Sequence, residues 1–198
     1  MNKMSEVDDV ISRLTAKQQN YLNSYFTYAP ESLKSSIQVV RMPAGTTFIQ
    51  EGAPLDKVFI LLKGSVSAVD YRVRETVYGF CHFEPIEIFG TMEILGYMSH
   101  YKTTLATTQD SLFLKIPGDA CRKWILNDVS ALRLETQRII GYLLEQSRKE
   151  RLYVMLPGNE RVYLILTNLY ETYGKRDTYS VYLSRKDFSE VTGVSERT

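Results

Sequence analysis

Between residues 37 and 116 the chain is built from short runs of Val, Ile, Phe, Tyr and Thr, cut at close intervals by Pro43, Gly45, Gly52, Pro54, Gly64, Gly79, Pro85 and Gly90. β-Branched and aromatic side chains suit a pleated, half-buried surface, while glycine and proline punctuate tight turns. The stretch therefore predicts antiparallel strands, the clearest being IQVVRM, VFILLKG, SVSAVDY, TVYGFCHF, TTLATT and SLFLKI. Their spacing is that of a β-sandwich or roll. Helical periodicity resumes only after Pro117, which makes the fold class α+β with the strands gathered in the N-terminal part.

Ahead of the strands, residues 12–28 place Leu14, Gln18, Tyr21, Leu22, Tyr25 and Phe26 near helical spacing, with Ser12 or Thr15 as a polar start. This predicts one short amphipathic lead-in helix. Beyond the strands, GDACRKWILND puts Cys121, Trp124 and Ile125 on one side of a short helix, with Trp124 as a core anchor. Val129, Leu132, Thr136, Ile139 and Leu143 then recur at three, four, three, four, a heptad seam that Ile140 and Leu144 widen. The helix is expected to run to about Met155, where Pro157 and Gly158 end it. Such a seam serves either a dimer or the helix's own sheet, and its length favours the dimer. The expected parts are thus a β-roll over 1–126, a dimerisation helix over 127–156 and a C-terminal domain over 157–198.

In that last part, ERVYLILTNLYETYG has helical spacing, TYSVYL has strand texture, and LSRKDFSEVTGVSERT follows. Ser184 and Asp187 resemble a capping box, Gly193 permits a sharp turn, and Ser195 is positioned to cap a second helix. Helix, turn and helix start are the ingredients of a DNA-reading pair.

Bulk charge gives no help to nucleic-acid binding, because 24 basic residues nearly cancel 23 acidic ones. No run approaches the ~18 apolar residues of a membrane span, and MNKMSEVDDV lacks the order of a secretory signal, so a cytoplasmic protein without a membrane partner is expected. Cys81 and Cys121 stand far apart and suggest buried thiols rather than a disulfide framework or zinc site. His82 and His100, eighteen positions apart with no H-x-H, argue against a cupin-type metal enzyme. No catalytic residue, metal or cofactor is expected.

Three stretches, AGTTFIQEGAPLDKVFILLKGSVSAV, EIFGTMEILGYMSHYKTTLATT and LSRKDFSEVTGVSERT, in this order, resemble the cyclic AMP receptor protein and fumarate-nitrate reduction regulator family over essentially the whole chain. The resemblance implies a cyclic-nucleotide-binding-like jelly roll, a long dimerisation helix and a winged helix-turn-helix. It implies a homodimer that reads double-stranded DNA at a palindromic operator under a small effector, with RNA polymerase as a further partner. The family's oxygen-sensing branch carries an N-terminal cysteine cluster; residues 1–80 contain no cysteine.

The effector residues that the resemblance implies are Phe89, Gly90, Thr91, Met92, Glu93, Lys102 and Thr103, with Gln146 and Ser147 on the long helix. Nucleotide-binding members follow the glycine with Glu, whose carboxylate takes a ribose hydroxyl, and place an Arg whose fork grips the cyclic phosphate. Here Thr91 and Lys102 stand in those places, and lysine supplies charge without the fork. Glu93, two residues on, points roughly 200° away on a helix. An effector other than a cyclic nucleotide is therefore expected, with Lys102 either meeting an anion or solvated, and Gln146 and Ser147 either lining a pocket or on an exposed flank.

On DNA the resemblance implies that Ser184 and Lys186 touch phosphate and that Ser195, Glu196, Arg197 and Thr198 open the recognition helix. Relatives often show Ser-Arg-Glu-Thr; the swapped order here turns each side chain by about 100°, so the usual half-site does not carry over. Residues 157–198 hold six basic and six acidic residues, a neutral balance for a reading head. Truncation explains it, and the native product is expected to continue with the rest of that helix and a β-wing. Two alternatives remain: a cyclic-nucleotide-binding regulatory module without DNA binding, and a regulator of this fold that senses no ligand.

Overall fold

The computed structural model describes residues 3–70, 76–173 and 189 of the 198-residue chain. The chain divides into two compact units, Met1–Ile139 and Ile140–Thr198.

The first unit starts with α1 (Lys3–Ser12), which the sequence did not suggest, and α2 (Ala16–Tyr25), the expected lead-in helix, begun at Thr15. The break between them has a local cause. Thr15 accepts from the Gln18 amide while the Gln18 side chain accepts from the Thr15 amide, a reciprocal capping box that begins a new helix. Gln19 Nε2 donates to the carbonyls of Ser12 (3.0 Å) and Leu14 (2.8 Å) that the interruption frees. A short helix α3 (Glu31–Lys34) follows.

Eight strands come next: β1 (Gln38–Met42), β2 (Thr47–Ile49), β3 (Lys57–Lys63), β4 (Val66–Asp70), β5 (Thr76–Phe83), β6 (Glu87–Phe89), β7 (Thr104–Thr107) and β8 (Ser111–Pro117). They form two antiparallel sheets ordered β1-β8-β3-β6 and β2-β7-β4-β5. The six expected strands are present. The three-residue strands β2 and β6 were not anticipated, being too short to show a period of two.

Strand β3 is buried from Val58 through Leu62, without alternation, so both of its faces are covered. One side belongs to an aromatic cluster in which Phe48 packs on Phe59 (5.2 Å between ring centres), Phe113 (4.9 Å) and Phe89 (5.7 Å). The helix α5 (Gly118–Ile125) contacts β3 and β8. It brings Trp124 against Tyr25 (5.2 Å) and Phe26 (5.4 Å) of the lead-in helix.

A long helix was expected over 127–156, and α6 (Val129–Met155) has 27 residues. Asp128 starts it by accepting from the Ser130 and Ala131 amides, while its other oxygen accepts from Trp124 Nε1 at 2.8 Å. The preceding helix α5 ends at Ile125, short of the Asp128 to which its sequence pattern extends. Trp124→Ala removes a buried ring and this bond together, and should cost about 3–5 kcal/mol in guanidinium unfolding.

In the second unit α6 ends at Met155 and α7 (Gly158–Tyr173) follows, two residues earlier than its sequence pattern begins. The expected strand TYSVYL and the reading-head residues Ser184, Lys186, Ser195, Glu196, Arg197 and Thr198 lie outside the described residues.

Candidate effector site and the polar cluster behind it

The cassette runs from β6 through Gly90 into the short helix α4 (Thr91–Leu95) and back by a loop to β7. Gly90 has φ +101°, and a Cβ there would sit 3.0 Å from the Lys57 carbonyl. Glycine is required on both counts.

Phe89 is buried, stacking edge-on against Phe83 at 5.3 Å as well as Phe48, so it belongs to the core. Thr91, in the place where nucleotide-binding relatives carry Glu, is fully buried and faces the long helix, where Oγ1 donates to the Glu135 carboxylate. Met92 is exposed and Glu93 half-buried, with Glu93 Oε1 accepting from the Lys102 amide at 3.3 Å. Lys102 and Thr103 are exposed, and the Lys102 ammonium has no ion-pair partner among the described residues. Gln146 is half-buried and Ser147 exposed, both in the second unit.

Behind the cassette stands a group of charged side chains that the sequence reading passed over. Arg138 Nε donates to Glu135 Oε2 at 3.1 Å and Nη2 to Oε1 at 2.5 Å. Its Nη1 is paired with Glu87 of β6, and Nη2 lies 3.4 Å from Thr91 Oγ1. Glu135 is fully buried and the Arg138 side chain is 13% exposed, so one guanidinium ties the strand, the cassette helix and the long helix together away from water. Burial pushes the Glu135 carboxyl up to about 7, the Thr91 hydroxyl pulling the other way. Burial likewise raises the Tyr21 phenol to about 12, and raises that of Tyr25, in both cases with Glu135 adding to the effect. Both hydroxyls are buried without a hydrogen-bond partner.

The sequence did hold a signal for this group. Ala131, Leu134, Glu135 and Arg138 recur at i, i+3, i+4 and i+7, an inward stripe centred about 130° around the helix from the heptad seam. The inward stripe and the heptad seam lie on different faces of the helix. Ala131 and Leu134 pack on the core, while Val129, Thr136 and Leu143 are exposed and Leu132 and Ile139 half-buried.

Among the described residues no three His, Cys, Asp or Glu are grouped to hold a metal, and no helix is long and apolar enough to cross a membrane. Cys121 is buried, its thiol pushed up to about 12. His100 is exposed beside Ser99 Oγ. The side chains of Cys81 and His82 lie outside the described set.

Residues 39–128 match the family model of the cyclic nucleotide-binding domain. Among solved structures the chain is similar to the c-di-GMP responsive global regulator CLP of Xanthomonas campestris, at 18% identity and TM-score 0.64, covering 90% of this chain and 86% of that one. It is also similar to a CRP-family transcriptional regulator of Thermus thermophilus, at 16% identity and TM-score 0.60, covering 80% and 78%. The regulatory subunit of a cAMP-independent protein kinase A from Trypanosoma brucei is similar at 15% identity and TM-score 0.52, covering 74% of this chain and 50% of that one. No curated protein sequence matches the chain. At these identities the likeness to the solved structures is one of fold, and no catalytic family is indicated among the matches reported. Residues 39–128 therefore carry an antiparallel, jelly-roll-like domain matched to the cyclic nucleotide-binding family.

Proposed function

We propose that the chain belongs to a transcription regulator of the cyclic AMP receptor protein and fumarate-nitrate reduction regulator family, switched by a small effector other than a cyclic nucleotide. The observation that carries the second half of this reading is the burial of Thr91 against Glu135: the cassette position that would take a ribose hydroxyl is committed to the long helix. The unpaired Lys102 offers charge to an anionic effector without the bidentate fork that a cyclic phosphate fits.

In this reading the effector meets the exposed side of the cassette, at Met92, Glu93, Lys102 and Thr103. Thr91 passes the change in occupancy to α6 through Glu135. The seam of Val129, Leu132, Thr136, Ile139 and Leu143 pairs two copies, and the sensor spans 1–126, the stalk 127–156 and a winged helix-turn-helix the remainder. Ser184 and Lys186 then contact phosphate, while Ser195, Glu196, Arg197 and Thr198 face base edges of a palindromic operator in the full-length dimer. RNA polymerase is a further partner of such a regulator. A second reading, a regulator that senses nothing at this site, is favoured by the loss of Phe89 and Thr91 to core and cluster.

A thermal-shift screen tests the two. A ligand at about 100 times its Kd adds about 2.7 kcal/mol, about 5–10 °C in Tm for a chain of this size. Cyclic AMP and cyclic GMP are expected to give no shift, and an anionic metabolite to give one that Lys102→Ala abolishes. A cyclic AMP shift that disappears in Lys102→Ala overturns the choice of effector. Silence across the panel favours the second reading.

A further inference from the structure

A cavity of about 380 Å³ lies in the first unit, between the start of α2 and the turn joining β5 to β6, lined by Lys17, Gln18, Tyr21, Pro85, Ile86 and Arg138. Its size is at the small end of ligand pockets. Neither of the regulator's proposed working surfaces, the cassette face and the stalk seam, uses it.

The chemistry of the walls is one-sided. Lys17 and Arg138 bring two cations, and no acidic residue lines the cavity itself. Arg138 has five N–H donors; its bonds to Glu135, Glu87 and Thr91 leave one Nη1 hydrogen uncommitted among the described residues. Tyr21 Oη is buried with no hydrogen-bond partner among the described residues, a state that disfavours the empty site. Gln18 Oε1 is held by Thr15, which leaves the amide nitrogen as donor. At the start of α2 the capping box takes the Gln18 amide, and the donors named here are side chains. Pro85, Ile86 and the Tyr21 ring add apolar surface to the same lining.

We infer that this cavity is a second binding site, for a small monocarboxylate with an apolar or aromatic body, whose oxygens accept from Tyr21, Lys17 and Arg138. A compact polyanion fits less well, since Arg138 already serves two carboxylates and the remaining donors are few. An occupant here touches the guanidinium that holds Glu87, Thr91 and Glu135 together, so the site reaches the cassette and the long helix through one residue.

Isothermal titration of the 198-residue chain with benzoate tests this, with benzyl alcohol (the same body without charge) and inorganic phosphate (charge without the body) as controls. Benzoate is expected to bind saturably with a Kd of about 1 mM or tighter, the order allowed for so small a ligand. Lys17→Glu and Tyr21→Phe should each weaken it at least about fivefold. Tyr21→Phe removes an unpartnered hydroxyl, so its unfolding midpoint should not fall. Lys102→Ala should leave benzoate affinity unchanged. Absence of saturable binding, equal binding of phosphate or benzyl alcohol, or indifference to both cavity variants overturns the inference. Loss of benzoate binding in Lys102→Ala, with the cavity variants silent, overturns it as well and places the anion in the cassette instead.

Discussion

Arg138→Leu is expected to lower the stability of the N-terminal unit by about 3–5 kcal/mol at pH 8 and by markedly less at pH 5. The arginine is the sole cation in contact with Glu135 among the described residues and is also paired with Glu87. Removing it leaves two carboxylates in a space from which water is excluded, and a buried charge stripped of its partner is among the costliest single changes a core can suffer.

The pH dependence follows from Glu135. Its carboxyl is held near 7 in the folded chain, above its ordinary value of 4.5, so the folded state retains a proton that the unfolded state has released. The contribution of Glu135 to stability is therefore greatest below about 4.5, falls as pH rises toward 7 and is level above that. Without Arg138 the folded carboxyl titrates higher still, which steepens the decline and extends it into the alkaline range. At pH 5 the proton is bound in both forms and much of the difference disappears. Guanidinium unfolding of both proteins at pH 5 and pH 8 measures this. Equal losses at the two pH values, or a loss under about 1 kcal/mol at pH 8, would show that the guanidinium is not what compensates the buried carboxylates.

The roll was legible in sequence because its six longer strands are long enough to show their texture and its turns carry Gly and Pro at the positions that need them. The long helix was legible from Val129, Leu132, Thr136, Ile139 and Leu143 because their helical spacing repeats. What escaped notice escaped for reasons of scale and chemistry. Strands of three residues have no period, and α1 (Lys3–Ser12), ahead of the start foreseen at Ser12 or Thr15, was not read from the sequence. Glu135 and Arg138 look in sequence like an ordinary i, i+3 pair on a solvated flank, as Glu145 and Arg148 are in the same helix. Only the strand and cassette packed over the first pair make it a buried cluster. In the same way Thr91 is conspicuous in sequence as a departure from the expected Glu, but the reason for the departure lies 44 residues away, in a carboxylate already occupying that space.

That last point makes Thr91→Glu the sharper test of how the cassette is built. The substitution restores the residue type that nucleotide-binding relatives carry, yet it places a second carboxylate against Glu135 in a fully buried position, with Arg138 already shared between Glu135 and Glu87. Like charges that close cannot both stay ionised, so one carboxyl must hold a proton or the cassette helix must shift. A loss of about 3 kcal/mol or more at pH 8 is expected, shrinking toward pH 5. The double variant Thr91→Glu with Glu135→Gln should recover most of that loss. It returns the carboxylate count to its original value and leaves the new group within reach of Arg138 Nη2, which already lies 3.4 Å from Thr91 Oγ1. The two sites should therefore couple favourably by about 1–3 kcal/mol in a double-mutant cycle of denaturation midpoints. Strict additivity would mean that the two positions do not share one pocket of charge. A Thr91→Glu protein as stable as the original would mean that the cassette has room for the nucleotide-binding carboxylate, and would reopen the cyclic-nucleotide effector that the buried threonine argues against.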